Sequence, residues 1–319
     1  MMQRISVAMC TYNGERYVRE QLQSIAAQTL HPAEMVICDD GSTDRTLALI
    51  AEFVPTVDFD VKIVRNKVNL GSTKNFEQAI GLCCGELIAL CDQDDVWHPA
   101  KLERLSNRLQ RDPSLAGVFC NAELIDERSI PTGQSLWQVF GFGAPQQSSF
   151  ERGHAAKLLC IREVVTGATM MFRAVLRPRL LPIPNGWIHD GWLSWMLVLH
   201  SRLGFVPECL MGYRVHSTQQ AGVPPRTLRA RLAKLRTSEA GACAEKASRF
   251  KALEARCAEL DDCDPDNVED IRRVIELCQL RADLPDGVIR RAIRVLSRLP
   301  WYRAYTNGFR TVLRDVVQR

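Results

Sequence analysis

The sequence predicts an α/β protein: a doubly wound, mostly parallel sheet followed by a helical C-terminal extension. Short apolar runs alternate with segments of helical periodicity through the first 125 residues, the pattern of parallel strands joined by crossover helices. Beyond residue 225 the strand signal stops, and segments 226–260, 266–282 and 287–318 all have helical character. Two strands also run directly into acids. Met35–Cys38 leads into Asp39-Asp40-Gly41-Ser42-Thr43-Asp44, and Leu87–Cys91 leads into Asp92-Gln93-Asp94-Asp95. Ligands of open α/β sheets bind outside the carboxyl ends of the strands, so one acidic site is expected there.

The elements follow in order. Ile5–Cys10 is a short buried strand ending in the turn Thr11-Tyr12-Asn13-Gly14. From Glu15 to Gln28, Val18, Leu22 and Ile25 keep helical spacing. The second strand is Met35–Cys38; Gly41-Ser42 supplies a turn and an N-cap for a helix running through Ile50. A third strand covers Val61–Val64, and Ser72 can cap a helix carrying Phe76, Ala79, Ile80 and Cys83. The fourth strand ends at Asp92; Pro99 opens a helix with Leu102, Leu105 and Leu109 on one face, and Asp112-Pro113 ends it. Ala116–Asn121 is a further strand, Ile130–Glu151 is loop-like, Val164–Phe172 is strand-like, and Trp187–Leu199 is a helix opening near Asp190.

At 319 residues, with 46% apolar and 24% charged residues, the chain can bury a sizeable core and fits neither a disordered nor a membrane-embedded class. The longest apolar stretches, such as Trp192–Leu199, are about half the ~20 residues a membrane span needs. Met1-Met2-Gln3-Arg4 leads straight into a strand, so no signal peptide is expected and the location is cytoplasmic, or peripheral on the inner face of the plasma membrane. The twelve cysteines are scattered without a C-x-x-C pair, which points to buried free thiols rather than disulfides or zinc. The net charge of +4 is unevenly spread: residues 287–319 hold eight Arg and one Asp, +7, which leaves −3 for the rest.

Five groups of residues carry chemistry. Thr11-Tyr12-Asn13 offers a hydroxyl, a ring and an amide at a strand tip, suited to a nucleotide base and ribose, or it is an ordinary turn with a packed Tyr. An Asp in the Asp39-Asp40 pair can accept hydrogen bonds from the imide of a uracil or thymine ring, while Ser42 caps the helix. Asp92-Gln93-Asp94-Asp95 crowds three carboxylates, best tolerated beside a cation; Mg²⁺ and Mn²⁺ prefer such hard oxygens and bridge diphosphates. Asp190 lies in Trp187-Ile188-His189-Asp190-Gly191-Trp192, where desolvation would raise its pKa toward that of a useful base, or it is a helix cap. In Tyr213-Arg214-Val215-His216, the Arg could neutralise phosphate and the His is either structural or a ligand.

Val7-Ala8-Met9-Cys10-Thr11-Tyr12-Asn13, Ile37-Cys38-Asp39-Asp40-Gly41-Ser42-Thr43-Asp44 and Leu90-Cys91-Asp92-Gln93-Asp94-Asp95 together resemble the family 2 glycosyltransferases of GT-A fold. The resemblance covers roughly residues 4–220. His189-Asp190-Gly191-Trp192 and Tyr213-Arg214-Val215-His216 resemble the bacterial rhamnosyltransferase-like branch. The resemblance implies roles. Thr11, Tyr12 and Asn13 line the nucleotide pocket; Asp40 bonds the base with Asp39 beside it; Lys74, after Asn69-Leu70-Gly71, sits where the family often has a basic residue. Asp92 holds ribose or a metal-bound water, Asp94 ligates Mg²⁺ or Mn²⁺ with Asp95 as a second ligand, His216 completes the metal site, and Asp190 is the base. Two departures stand out: Cys10-Thr11 replaces the usual Pro-Thr, and no Gln-x-x-Arg-Trp of processive synthases occurs.

The resemblance implies an inverting transfer from a UDP- or dTDP-sugar, rhamnose among the sugars, to a glycan or lipid-linked acceptor in surface polysaccharide synthesis. Residues 1–120 would bind the nucleotide sugar, 121–222 the acceptor, and 223–319 would form a basic helical extension. From Trp301, the apolar residues Tyr305, Phe309, Val312 and Val316 recur at helical spacing among arginines, so 287–319 either contacts an anionic membrane peripherally or packs on the catalytic domain. No nucleic acid partner is expected, since no recognised module accompanies the arginines. The rivals are a sugar-phosphate nucleotidyltransferase, disfavoured by the lack of a Gly-rich loop after the first strand, and a non-catalytic nucleotide-sugar-binding protein.

Overall fold

The computed structural model describes residues 3–216 and 239–317. Two compact units emerge, one of residues 1–147 with 164–223 and one of 148–163 with 224–319. The expected boundary at 222/223, and the start of the helical segment expected at 226, fall outside the described residues.

The first unit is built on strands β1 (Ile5–Thr11), β2 (Glu34–Asp39), β3 (Asp60–Arg65), β4 (Leu87–Cys91), β5 (Val96–Trp97), β6 (Leu115–Ile125), β7 (Pro131–Ser135), β8 (Met170–Arg173) and β9 (Arg202–Arg214). They form one sheet of order β3-β2-β1-β4-β8-β6-β9-β5, with β7 paired to β6. The half β3-β2-β1-β4 is parallel throughout. β8 enters antiparallel between β4 and β6, β9 runs parallel to β6, and β5 closes antiparallel on β9.

Helices α1 (Val18–Ala26), α2 (Thr46–Phe53), α3 (Ser72–Leu82) and α4 (Lys101–Arg111) connect the first strands. Each strand alternates its faces. Ile5, Val7, Met9, Met35, Ile37, Leu87 and Ala89 pack with Val18 and Leu22 of α1, Ile50 of α2 and Leu105 of α4 in one apolar cluster. α3 instead packs on β1 and β2 together with α9 (His189–His200). The chain therefore changes winding direction between β1 and β4, and that crevice is where the acids lie.

Several local expectations are corrected. Ser42 does not cap α2: its hydroxyl accepts from the Asn13 N–H and donates to Asp39, and α2 begins at Thr46, whose N–H donates to Asp44. Ser72 makes no cap bond either; α3 follows Gly71, whose φ of +79° is one a side chain rarely adopts. The helix after Pro99 starts at Lys101. Within 130–151, expected to be loop, stand β7 and helices α5 (Leu136–Phe140) and α6 (Ala144–Glu151), α5 being secured by a Ser135–Gln138 capping box. α7 (Ala155–Ile161) follows, then β8, which is far shorter than the strand expected over 164–172, and the one-turn α8 (Arg177–Leu180). β9 carries no clean alternation and is a strand because it pairs along β6, with shifts in register.

The second unit contains α7 and α10 (Glu239–Leu260), α11 (Pro265–Ala282), α12 (Val288–Leu296), α13 (Leu299–Tyr305) and α14 (Phe309–Val317). α10 packs along α11, and α7 meets α11 and α13. The continuous helix suggested by the spacing from Trp301 to Val316 is interrupted at Thr306–Gly308, where Gly308 has φ +61°. Tyr302 and Tyr305 turn inward, donating to Asp315 and Asp270. All twelve cysteines are free thiols, nine of them buried. Among the described residues, no helix is long and apolar enough to cross a membrane.

Candidate active site

Parallel pairing brings the ends of β2, β1 and β4 side by side, with Thr11 opposite Asp39 and Met9 opposite Cys91. Gln93 bridges the crevice: its amide accepts from the Tyr12 N–H at 2.9 Å and donates to the Tyr12 carbonyl at 3.0 Å. The approach needs Gly14, since a Cβ there would lie 2.1 Å from Gln93 Oε1. Asn13 adopts φ +47°; its N–H donates to Ser42 Oγ and its Oδ1 accepts from Thr43 N–H, both at 2.9 Å. The Tyr12 ring is left exposed at the rim.

The Asp39-Asp40 pair builds the loops around it. Asp39 is fully buried and accepts from the Thr11 hydroxyl (3.0 Å), the Gly41 and Ser42 N–H groups (3.2 and 2.9 Å) and the Ser42 hydroxyl. Asp40 accepts from Asn66 Nδ2, Leu70 N–H and Gly71 N–H, each at 2.8 Å. A carboxylate offers about four acceptor sites, so Asp40 keeps room for roughly one further donor. Asn66 also donates to Asn75, which donates to the Cys38 carbonyl, so α3 is tied to the end of β2.

The acids after β4 divide by environment. Asp94 meets His216 Nε2 at 2.8 Å. Asp95 is buried; its Oδ1 accepts from the Arg214 N–H at 3.0 Å while its Oδ2 has no hydrogen-bond partner. Burial and the neighbouring Asp94 hold the Asp95 carboxyl well above the usual carboxylate range. Burial, then Asp94 and Asp190, push Asp92 up to about 7. Asp190, at the start of α9, is raised by burial and accepts from the Gly191 N–H at 2.7 Å. Its neighbour His189 stacks on Phe76 at 4.1 Å between ring centroids, and burial lowers that imidazole to about 3, so it is neutral. Asp95, Asp92, Asp94 and Asp190 all lie near enough to Tyr213 to raise its hydroxyl, and Asp92 and Asp40 both act on Cys10. Asp92, Asp94, Asp95 and Asp190 thus lie near one another around Tyr213, His216 meets Asp94, and Asp40 and Asp92 both lie near Cys10.

Lys74 stands apart. Its ammonium donates to Glu77 (2.8 Å) and to the Ile183 carbonyl (2.7 Å), in a pocket it lines with Leu70 and Pro182. Arg214 corrects the phosphate reading: it is fully buried. Its Nε donates to the Asp94 carbonyl at 2.6 Å, its terminal nitrogens to Glu20 (2.6 Å), Ser129 (2.9 Å) and the Asp126 carbonyl (3.1 Å), and the guanidinium lies 4.5 Å from the Tyr17 ring centroid. It braces the acidic loop from behind.

Three residues outside the expected set shape the site. Gln93 is the bridge already described. Lys101 is buried, donates to the Ala168 carbonyl, lies 3.7 Å from the centroid of the Trp97 ring and acts electrostatically on Asp92 and Asp95. Its signal was its place four residues before Leu105 on the apolar face of α4. Gly167 admits the start of α9: a Cβ there would stand 2.7 Å from His189 Nε2.

The donor set suits a hard divalent cation. Asp94 and His216 already meet, and the Asp95 Oδ2 is a buried oxygen in want of a partner. Among the described residues, no third ligating atom is gathered with that pair. This matches ions that take one or two protein ligands and complete their shell with water and substrate phosphates.

Residues 6–177 match the profile of glycosyl transferase family 2. An uncharacterized glycosyltransferase of Haemophilus influenzae is 29% identical over 224 residues, covering 69% of this chain and 68% of that protein. The UDP-Glc:alpha-D-GlcNAc-diphosphoundecaprenol beta-1,3-glucosyltransferase WfgD of Escherichia coli is 27% identical over 190 residues, 60% of this chain and 68% of its own length. Among solved structures, residues 1–349 of S. aureus TarS with UDP-GlcNAc share the fold at a TM-score of 0.60 and 16% identity, over 95% of this chain and 81% of that one. The match of the family profile over more than half of the chain, on a sheet that carries its acids at the β1/β4 crevice, identifies this chain as a member of glycosyl transferase family 2.

Proposed function

We propose that this protein is an inverting, metal-dependent transferase that moves a sugar from a UDP or dTDP donor, rhamnose among the sugars, to an acceptor hydroxyl in bacterial surface polysaccharide assembly. The observation that carries the reading is the closeness of the acids after β4 to Asp190 of α9 and to His216 beyond β9. The relative WfgD, named for a diphosphoundecaprenol-linked substrate, supports a lipid-linked or glycan acceptor.

Residues 1–120 take the nucleotide and 121–222 the acceptor, with 223–319 as an extension whose described residues, 239–317, are mostly helical. Thr11, Tyr12 and Asn13 border the base and ribose. Asp40 gives its remaining acceptor site to the imide of the base, and Asp39 holds the loop that presents it. Asp92 holds ribose or a bound water. Lys74 reaches the nucleotide only by leaving Glu77. Asp94 and His216, with Asp95, would hold Mg²⁺ or Mn²⁺, which supplies positive charge to a diphosphate leaving group. Asp190 takes the proton of the acceptor hydroxyl, its raised basicity set by burial at the start of α9. One base and one displacement invert the anomeric centre.

The test is turnover of UDP- and dTDP-sugars by the full chain with Mn²⁺, with the released product identified. Nucleoside diphosphate release that falls about 100-fold or more in Asp190→Asn, with nucleotide affinity kept, is expected of a general base. Pyrophosphate release would assign a nucleotidyltransferase instead, and binding without turnover a non-catalytic protein. Near-normal turnover by Asp190→Asn would remove that residue as the base.

A further inference from the structure

α12 and α14 lie against each other in the second unit, and each presents an apolar stripe to solvent. On α12 the stripe is Ile289, Ile293 and Leu296, with Ile289 78% and Ile293 68% exposed. On α14 it is Phe309, Leu313 and Val317, with Phe309 77% exposed. These spacings of three and four residues place each set on one side of its helix. The side turned inward is different: Arg291 and Val295 on α12, Thr311, Val312 and Asp315 on α14 are buried. The exposed stripes are therefore not the faces that hold the unit together.

Within the two helices the exposed charges beside the stripes are arginines, while Asp286 stands exposed just before α12. Arg290 and Arg294 stand exposed beside the α12 stripe and Arg310 beside that of α14. α12 contains no acid; the single acid of α14, Asp315, is buried and bound to Arg281 and Tyr302. Each helix has nine residues, about 13 Å at the usual rise, against about 30 Å of hydrocarbon in a bilayer. Neither can span. A short helix with an apolar stripe edged by arginine lies in the plane of an anionic interface, apolar side in the acyl boundary and guanidinium groups among the phosphates.

We propose that α12 and α14 form a docking surface for an anionic lipid bilayer. The inference stands on this surface alone and is independent of the sugar-transfer reading, so failure of either leaves the other intact. The experiment is flotation of the full chain with vesicles of pure phosphatidylcholine and of phosphatidylcholine with 30% phosphatidylglycerol. Binding is expected to the anionic vesicles only and to weaken with salt. Arg290→Gln/Arg294→Gln/Arg310→Gln should lose about fivefold per arginine, roughly 100-fold together. Ile293→Glu/Phe309→Glu alters exposed positions, so its melting temperature should be unchanged while flotation is lost. Absence of flotation by the parent chain, or variants that float as well as the parent, would overturn the proposal. A dimer by light scattering that Ile293→Glu/Phe309→Glu dissociates, without flotation, would overturn it in favour of a second copy of the chain.

Discussion

Lys101→Met removes a buried cation while nearly keeping its volume. Four interactions go. The ammonium donates to the Ala168 carbonyl, and a hydrogen bond from a charged donor is worth about 1.5–3 kcal/mol. It donates more weakly to Met211 Sδ at 3.5 Å. It lies 3.7 Å from the Trp97 centroid, a desolvated cation–π contact of about 2 kcal/mol. It also offsets Asp95 and Asp92, which remain in place. Against these stands relief from burying the ammonium, several kcal/mol, the same burial that lowers its pKa. Because the Ala168 carbonyl and the buried acids stay behind without their cation, a net loss of about 3 kcal/mol is expected. In a unit of roughly 200 residues that lowers the melting temperature by about 6–12 °C. The assay is thermal and urea unfolding of the parent, Lys101→Met, Asp95→Asn and the double variant. If Lys101 balances Asp95, the double variant should recover at least about 1 kcal/mol relative to the sum of the singles. Strict additivity, or a loss under about 1 kcal/mol for Lys101→Met, would refute the account.

Asp94→Ala should weaken UDP binding at least about tenfold with Mn²⁺ present and leave it unchanged in chelator, read by calorimetry; equal affinities in Mn²⁺ would take Asp94 out of the metal site. Since Asp190 must be ionised to take a proton and burial raises its pKa, activity should climb with pH along an acid limb lying above the ordinary carboxylate value of 3.8. A pH–kcat profile flat down to pH 4 would contradict that assignment. Gly167→Ala drives a methyl against His189 Nε2 and should cost about 1–3 kcal/mol in stability, together with a drop in kcat as the start of α9 is displaced. An alanine variant as stable and active as the parent would show that the contact relaxes freely.

The parallel half of the sheet was legible because its signals are local. Each β-α unit carries its own apolar run and helical period within about 30 residues, and Met35–Cys38 and Leu87–Cys91 announce their strand tips by the acids that follow. The presence of Asp190 at a helix start was readable for the same reason. What was not readable depends on partners far away in the chain. β9 contains Pro207 and two glycines and becomes a thirteen-residue strand only because the edge of β6 accepts it, with shifts in register. Arg214 resembles a phosphate ligand until Glu20, Asp94, Asp126 and Ser129 surround it. Asp39 and Asp40 resemble free carboxylates until the N–H groups of 41–42 and 70–71 converge on them.

By itself, then, the sequence determined which residues stand at the strand tips and that several of them are acidic, since periodicity and turn chemistry act between near neighbours. Tertiary structure alone decided which of those acids keep an oxygen to spare. Whether a carboxylate is satisfied, desolvated or open depends on donors brought in from segments dozens of residues away, and so on packing rather than on local pattern.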